Sequence, residues 1–148
     1  MSAVPARAEL ESYLHDKIPL ARAMGVRVEA GASDTLVLTA PLEPNHNHLG
    51  TAFGGSLSAM ATLAAYSLLW LELGDRPGHI VVHRSEIVYH RPVRGEIRAI
   101  CRRPADAELA EFRRQFATSG KARIRLGATI EYEGRVCVEF AGDFVALR

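Results

Sequence analysis

The hydrophobic residues of the N-terminal part follow two different periods. In residues 6–24 they recur every fourth position, at Leu10, Leu14 and Ile18. This spacing predicts an amphipathic helix, which Pro19 breaks or kinks. In residues 26–42 apolar and polar residues alternate, with turn-forming residues at 31–34, which predicts a strand with an irregular middle or a short hairpin. The chain therefore begins as helix and continues into sheet.

A long and mostly apolar segment follows at residues 52–73. It is about long enough to cross a bilayer, on the criterion of roughly 18 to 20 apolar residues. It also contains small and polar residues, at Gly54, Gly55, Ser56, Ser58, Thr62 and Ser67, and reaches Glu72 near its end. Because a helix that is apolar on all sides is equally typical of the centre of a soluble domain, we interpret this segment as a core helix and expect no membrane association.

After the turn expected at residues 75–78, the hydrophobic period is two as far as the C-terminus. The four predicted strands cover residues 79–89, 95–102, 121–132 and 135–147. Glu133 and Gly134 form the predicted hairpin turn between the last two. Residues 105–118 are predicted as a short helix or an ordered loop.

The order of these elements predicts one α+β domain over residues 1–148. A strand or hairpin is followed by one long apolar helix and then by an antiparallel meander, without an internal repeat or a change in composition. A lone apolar helix is buried on all sides only if the sheet curls about it, which is the arrangement of the hotdog fold. Because such a sheet leaves an edge and a face open, a homodimer is predicted, and possibly a dimer of dimers.

The charge balance argues against general binding of polyanions. The chain has 18 Lys and Arg against 17 Asp and Glu, a formal net charge of +1, so nucleic acid and anionic membranes are not expected partners. The first 17 residues lack the apolar stretch of a secretory signal. Cys101 and Cys137 lie among alternating apolar residues, which is typical of buried, reduced thiols. These features predict a cytoplasmic location.

Two adjacent glycines, Gly54 and Gly55, stand at the predicted start of the long helix. Each costs about 1 kcal/mol relative to alanine inside a helix, so another requirement must favour them. A ligand carbonyl can approach such a step closely, and free N–H groups together with the helix dipole would stabilise a developing oxyanion. The glycines could equally serve tight packing between helix and sheet, and the residues alone leave both interpretations open.

The residues around this step carry a resemblance to a known family. The segment at 47–56 reads NHLGTAFGGS and the one at 87–96 reads IVYHRPVRGE. Together they resemble the acyl-CoA thioesterases of the hotdog superfamily, and the string GTAFGGSL is most similar to a thioesterase-like domain that some bacteria carry fused to a GNAT-type acetyltransferase. The resemblance extends over roughly residues 18–147.

The resemblance implies roles for several residues. The backbone N–H of Gly55, with that of Gly54, would receive the thioester carbonyl. Asn47 occupies the place from which relatives polarise this carbonyl or position water, although a loop Asn also commonly forms an Asx-turn. His48 follows Asn47 and Phe53 directly precedes the glycines, and both are candidate substrate contacts.

Two positions depart from the family pattern. Phe53 replaces a His before the glycines, and Thr62 replaces a carboxylate on the helix, which removes the strongest acid–base group. Thr62 shares a helix face with Ser58 and Tyr66, so its hydroxyl either orients water in a cleft or bonds to a helix carbonyl. His46 and His48 are alternative bases if they are not simply solvated.

A basic strand face is the last candidate site. Lys121, Arg123 and Arg125 alternate and must point the same way, either towards phosphates of coenzyme A or an acidic carrier protein, or into solvent. No residue spacing indicates a metal site. Coenzyme A is expected only as part of a substrate, without a separate cofactor.

The function predicted on this basis is hydrolysis of an acyl thioester of coenzyme A or of an acyl-carrier protein. A non-hydrolytic acyl-thioester binding protein is the alternative that the missing carboxylate favours. A hotdog-fold dehydratase or hydratase is a third, although such enzymes generally use a His with a carboxylate.

Overall fold

The computed structural model describes residues 3–29, 33–74 and 78–148, so parts of the two turns expected at 31–34 and 75–78 lie outside it. The N-terminal helical segment is divided as predicted into α1 (Ala3–Lys17) and α2 (Pro19–Met24). The division falls at Ile18, whose backbone is extended (φ −124°, ψ 92°), because a residue before proline disfavours the helical conformation. Leu10 and Leu14 are fully buried, which confirms the amphipathic pattern.

The second segment is the hairpin alternative of the prediction. Strands β1 (Arg27–Glu29) and β2 (Thr35–Ala40) pair antiparallel, with Val28 opposite Leu38. A 3₁₀ turn (Glu43–Asn45) and a loop then lead to the long helix α3 (Gly54–Leu73). The loop therefore connects the end of β2 to the start of the central helix.

The C-terminal half supplies the rest of the sheet and one more helix. Its elements are β3 (His79–Tyr89), β4 (Ile97–Arg102), α4 (Asp106–Ser119), β5 (Lys121–Tyr132) and β6 (Arg135–Leu147). Glu133 and Gly134, both with positive φ, form the hairpin turn between β5 and β6. Of the two alternatives predicted for residues 105–118, a short helix or an ordered loop, the helix is confirmed. The bounds of three of the four predicted strands are also confirmed.

The six strands form one antiparallel sheet in the order β1-β2-β4-β5-β6-β3. The predicted meander is correct for β4, β5 and β6 but wrong for β3, which pairs with β6 from His79 opposite Leu147 to Tyr89 opposite Val138. The segment between β3 and β4 contains Pro92 and does not form a tight turn. Its buried Val93 instead accepts a hydrogen bond from Ala52 (N to O, 2.8 Å), which ties it to the start of α3.

The core lies between α3 and the sheet. Alternate residues of β5 face it, at Ala122, Ile124, Leu126 and Ala128, and α4 adds Leu109, Phe112 and Phe116. By length and composition α3 is the one helix among the described residues that is able to span a membrane, but more than half of its most apolar stretch is buried against the rest of the chain. It is therefore the core helix that the sequence predicted.

The expectation that α3 is buried on all sides is wrong for the single chain. A stripe along the helix remains half-exposed, at Ser58, Ala59, Thr62, Tyr66 and Trp70. These residues are spaced by three or four, so they form one continuous face. The stripe begins at the glycine step, which places it next to the candidate site.

Candidate functional site

The first turn of α3 presents backbone donors without partners. Phe53 is the N-cap residue, and its side chain makes no capping hydrogen bond. Leu57 is the first residue whose N–H bonds back to Phe53 (3.0 Å), so the N–H groups of Gly54, Gly55 and Ser56 have no acceptor within the described part of the chain. Four such donors are inherent to any helix start, and the dipole of this 20-residue helix adds partial positive charge there.

The helix start is held from both sides by backbone hydrogen bonds. Phe53 N donates to Asn45 O (2.7 Å), and Ala52 N donates to Val93 O (2.8 Å). Asn45 is itself buried, and its Nδ2 donates to the carbonyl oxygens of Met24 (2.9 Å) and Pro41 (2.7 Å). This anchoring keeps the donors of the first turn in fixed positions, as stabilisation of an oxyanion requires.

Asn45 is a structural residue that the sequence reasoning missed. Its Oδ1 is buried and has no hydrogen-bond partner among the described residues. Nothing in the local pattern separates Asn45 from Asn47, two positions later, since both belong to one polar loop. Only the packing of α2 and β2 against this loop distinguishes the buried amide from the surface amide.

Two aromatic rings flank the glycine step. The Tyr89 hydroxyl donates to Gly54 O (3.3 Å), and its ring would be in ordinary contact, at 3.7 Å, with a Cβ on Gly54. The Phe53 ring lies over Gly55 so closely that a Cβ there would overlap it. Since Phe53 is 56% exposed, its ring is free to move from this position without disturbing the core. A Cβ at position 55 would therefore need only a shift of this ring, so packing alone does not explain the second glycine.

Asn47 organises its own loop. Its Oδ1 accepts hydrogen bonds from the N–H groups of Leu49 (2.8 Å) and Thr51 (3.2 Å), while its Nδ2 donates to Thr51 Oγ1 (2.9 Å). This is the Asx-turn interpretation that the sequence left open. One hydrogen of Nδ2 remains for a ligand, and the catalytic role of Asn47 stays a prediction.

The hydroxyl groups on α3 share the face of Gly55. Ser58 and Thr62 lie one and two turns further along, and both are half-exposed. The Thr62 hydroxyl donates to Ser58 O (2.8 Å), which is the hydrogen bond to a helix carbonyl that was one of its two predicted roles. A hydroxyl that donates to a carbonyl still has lone pairs that can accept a hydrogen bond from water. It has no useful basicity near neutral pH, so it cannot remove the proton of that water.

The histidines of the loop are exposed and do not form a base–carboxylate pair. His46 Nδ1 lies 2.9 Å from Asn47 O, and His48 is exposed on the same loop. His90 lies 2.9 Å from the Glu139 carboxylate at the end of β3, but both groups are exposed. His48 remains a candidate contact on the path to the glycine step.

The basic face of β5 is separate from the helix start. Arg123 is exposed and points away from the core, because its neighbours Ala122 and Ile124 point into it. Arg125 on the same face pairs with Asp143 (2.9 Å) and lies 3.7 Å from Glu86. The structure therefore places Arg123 on the outer side of the sheet and Gly55 at the end of the helix on the inner side.

A second basic cluster lies beside the helix start and was not predicted. A cleft of about 380 Å³ is lined by Arg91, Pro92, Arg94, Tyr132, Glu133, Arg135 and Cys137. No carboxylate lies within ion-pair distance of its three arginines in the described ranges. Val93, between two of these arginines, bonds to Ala52 at the entrance to α3. The pairing of β3 with β6 brings together arginines some forty positions apart, which the meander prediction could not do.

The two cysteines are buried and unpaired, as predicted. Burial raises the pKa of the Cys101 thiol to about 12, so this group stays protonated at neutral pH and does not act as a nucleophile. The candidate site thus consists of backbone donors, hydroxyl groups and the Asn47 amide.

A six-stranded antiparallel sheet curled about one long helix, with open donors at the start of that helix, defines a hotdog-fold protein. A family described as "Putative thioesterase (yiiD_Cterm)" matches residues 7–148, and the chain belongs to this family.

Solved structures of similar proteins agree with this assignment. A protein of unknown function from Chlorobaculum tepidum TLS is 38% identical, with 96% of this chain and 94% of that chain covered and a TM-score of 0.91. A protein from Shewanella oneidensis, described as a "putative thioesterase", is 26% identical, with 97% of this chain and 99% of that chain covered and a TM-score of 0.85. The Pseudomonas aeruginosa protein PA5026, described as a probable thioesterase, is 24% identical over 95% of each chain with a TM-score of 0.79, and this likeness is one of fold.

Proposed function

We propose that the protein hydrolyses acyl thioesters. The observation that carries the proposal is the set of fixed, unpartnered N–H groups of Gly54 and Gly55 at the start of α3. They would donate hydrogen bonds to the carbonyl oxygen of a thioester and stabilise its negative charge in the tetrahedral transition state. Water adds to the carbonyl carbon, the C–S bond breaks, and the proton lost by water reaches the departing thiolate. The products are a free acid and a thiol.

The attacking water would be held by the hydroxyl of Thr62 and by the second Nδ2 hydrogen of Asn47. Neither group is a base, so they orient the water and do not remove its proton. His48, exposed on the same loop, is the next candidate for that task because histidine is the commonest general base in enzymes. Phe53, folded over Gly55, and Ser58 on the same helix face would border the acyl group.

The acyl carrier would be coenzyme A or the phosphopantetheine of a carrier protein. The cleft lined by Arg91, Arg94 and Arg135 supports a phosphate-bearing thiol because its three arginines outnumber its one carboxylate, Glu133. Arg123 on the outer face of the sheet is the alternative predicted from the sequence. The buried, unpaired cysteines support our proposal of a cytoplasmic location, because thiols are kept reduced there.

A second candidate function is non-hydrolytic binding of an acyl thioester. The observation that favours it is Thr62, which stands where a carboxylate would serve as nucleophile or base. A dehydratase on the same fold has less support, since no histidine pairs with a buried carboxylate among the described residues.

Hydrolysis of a panel of acyl-CoA thioesters, followed through the released thiol, tests the proposal. The wild type should turn over, and Asn47→Ala should lower kcat by about a hundredfold, the scale of losing one polar stabiliser of a transition state. Thr62→Ala should have a milder effect because solvent replaces an orienting hydroxyl. Thr62→Asp should raise kcat if its carboxylate ionises in this half-exposed position.

Circular dichroism of each variant serves as the control for folding. Leu20→Ala, an exposed α2 residue remote from the glycine step in the chain, is the matched control for activity. Binding without turnover of any acyl-CoA by the wild type would establish the non-hydrolytic alternative. Full activity of both Asn47→Ala and Thr62→Ala would reject the proposed positioning of water.

A further inference from the structure

The half-exposed stripe of α3 ends at a pair of tyrosines. The Tyr66 and Tyr13 hydroxyls are 2.9 Å apart, joined by a hydrogen bond between α3 and α1. The Tyr13 ring also packs on Trp70, with ring centroids 5.0 Å apart and an interplanar angle of 32°. Helix α1 thus covers the C-terminal part of the stripe with an aromatic cluster, defined here as Tyr13, Tyr66 and Trp70.

The same stripe begins at the candidate site. Gly55, Ser58, Thr62 and Tyr66 follow one another on a single face of α3 at spacings of three or four residues. Gly55 is exposed and Ser58 and Thr62 are half-exposed, whereas Tyr66 is in contact with Tyr13. An acyl chain whose carbonyl lies at Gly55 therefore has one uncovered path along the helix, and that path meets the tyrosine pair.

The tyrosine pair is suited to close the path. Burial, and then the hydrogen bond to Tyr13, raise the pKa of Tyr66 well above its ordinary value, so the Tyr66 hydroxyl stays neutral and hydrogen-bonded to that of Tyr13. Because the Tyr66 hydroxyl is hydrogen-bonded to Tyr13, whose ring packs on Trp70, the pair forms a barrier that moves less readily than a single side chain. The barrier joins two helices and is anchored by the buried Leu10 and Leu14 of α1.

From the geometry we infer that Tyr66, held by Tyr13, sets the maximum length of the acyl chain that the proposed site accepts. The inference rests on the proposed binding of a thioester carbonyl at Gly55. The eleven residues from Gly55 to Tyr66 rise by about 16 Å along the helix, and an extended chain advances about 1.2 Å per bond. Acyl chains of roughly a dozen carbons fill the path, and longer chains meet the tyrosine rings.

The test uses binding, which does not depend on turnover. Dissociation constants of S-(2-oxoalkyl)-CoA thioethers, which keep a carbonyl for Gly55 but cannot be hydrolysed, are measured by calorimetry for the full chain, with alkyl chains from butyl to octadecyl. Wild-type affinity should rise with chain length to about dodecyl and then fall. Tyr66→Ala should bind the hexadecyl thioether at least about tenfold more tightly than the wild type, since burying two further methylene groups is sufficient for such a gain.

Tyr66→Phe is the matched control. It keeps the ring and removes the hydroxyl, so it should retain the wild-type length limit to within two methylene groups. Tyr13→Ala opens the same barrier from α1 and should also relax the limit, which provides a second variant should Tyr66→Ala fail to fold. An unchanged length profile in a folded Tyr66→Ala or Tyr13→Ala, or no dependence on length in the wild type, would overturn the inference.

The two proposals fail separately. If the thioethers bind with the expected length limit but no acyl-CoA is hydrolysed, the proposed hydrolysis is wrong and the role of Tyr66 stands. If acyl-CoAs are hydrolysed and the folded tyrosine variants keep the wild-type profile, hydrolysis stands and Tyr66 serves only to hold α1 on α3. In that last case the variants should lower the melting temperature and leave the length profile unchanged.

Discussion

Single residues at the start of α3 illustrate how similar side chains acquire different tasks. Asn45 and Asn47 are both loop asparagines, yet Asn45 is buried and bonds to two backbone carbonyls, whereas Asn47 closes a turn at the surface. The first supports the position of Phe53 through its backbone carbonyl. Replacing it would leave buried carbonyls unsatisfied and disturb the donors of the helix start indirectly.

The arginines provide a prediction at this scale. Arg94→Glu, in the cleft beside the helix start, should raise KM for acyl-CoA at least about tenfold, because a phosphate contact with a charged donor contributes on the order of 1.5 to 3 kcal/mol. Arg123→Glu, on the outer face of the sheet, should change KM much less. Added salt should mimic the effect of Arg94→Glu.

The control for this comparison is an acyl thioester of N-acetylcysteamine, which lacks the nucleotide and its phosphates. Its KM should be the same for both variants and the wild type. If Arg123→Glu raises KM for acyl-CoA more than Arg94→Glu does, the phosphates bind at the basic face of β5, as first predicted from the sequence.

At the scale of elements, one carboxylate near the end of α3 forms ion pairs with α4 and with the segment that precedes it. Glu72, near the end of α3, accepts hydrogen bonds from Arg103 (2.8 Å) and Arg113 (2.7 Å), and its side chain is only 16% exposed. Arg103 also pairs with Asp106 at the start of α4. The pKa of Asp106 is lowered by this hydrogen bond and by the charge of Arg103, so the carboxylate stays ionised at neutral pH.

Glu72→Gln should therefore reduce the free energy of unfolding by about 1 to 2 kcal/mol, since two guanidinium groups lose a shared, largely buried anion. Urea denaturation followed by circular dichroism measures the change. Glu111→Gln is the matched control, because it breaks an ion pair with Arg114 in which both side chains are at least half-exposed. Its denaturation midpoint should equal that of the wild type, and equal losses for both variants would contradict the role given to Glu72.

At the scale of the whole molecule, β3 is an edge strand of eleven residues that is exposed over most of its length. Its exposed apolar side chains are Val81, Val82, Val88 and Tyr89. A long apolar edge is a liability in a monomer because its free N–H and C=O groups can pair with another chain. It supports the proposal of a homodimer in which two copies pair along β3.

Sedimentation equilibrium at micromolar concentration should then give twice the 16.2 kDa of the chain, or a further doubling for a dimer of dimers. Replacing both Val82 and Val88 by Lys should shift the mass towards that of one chain, because charged side chains on an edge oppose strand pairing. Leu20→Lys, which changes an equally exposed apolar residue on α2, should leave the mass unaltered. A wild type that sediments as one chain would refute the dimer.

The sequence by itself determined the elements of this protein. Periods of four and two, together with Pro19 and the turn at Glu133 and Gly134, define helices and strands through local backbone preferences that do not depend on distant residues. The resemblance carried by the glycine step likewise led to the family, because that signal lies in one short segment. Hydrolysis, the site roles and the dimer remain proposals for the experiments above.

Only the tertiary structure decided which elements are neighbours. Alternation fixes the two faces of β3 but not the strand it pairs with, so the pairing with β6 and not with β4 is seen only in the structure. That pairing assembled the arginine cleft. In the same way, spacing placed Tyr66 on the face of Thr62, but the contact with Tyr13 of α1 depends on packing between helices that are distant in the sequence. Long-range contacts of this kind are determined by shape and burial, which a one-dimensional pattern does not contain.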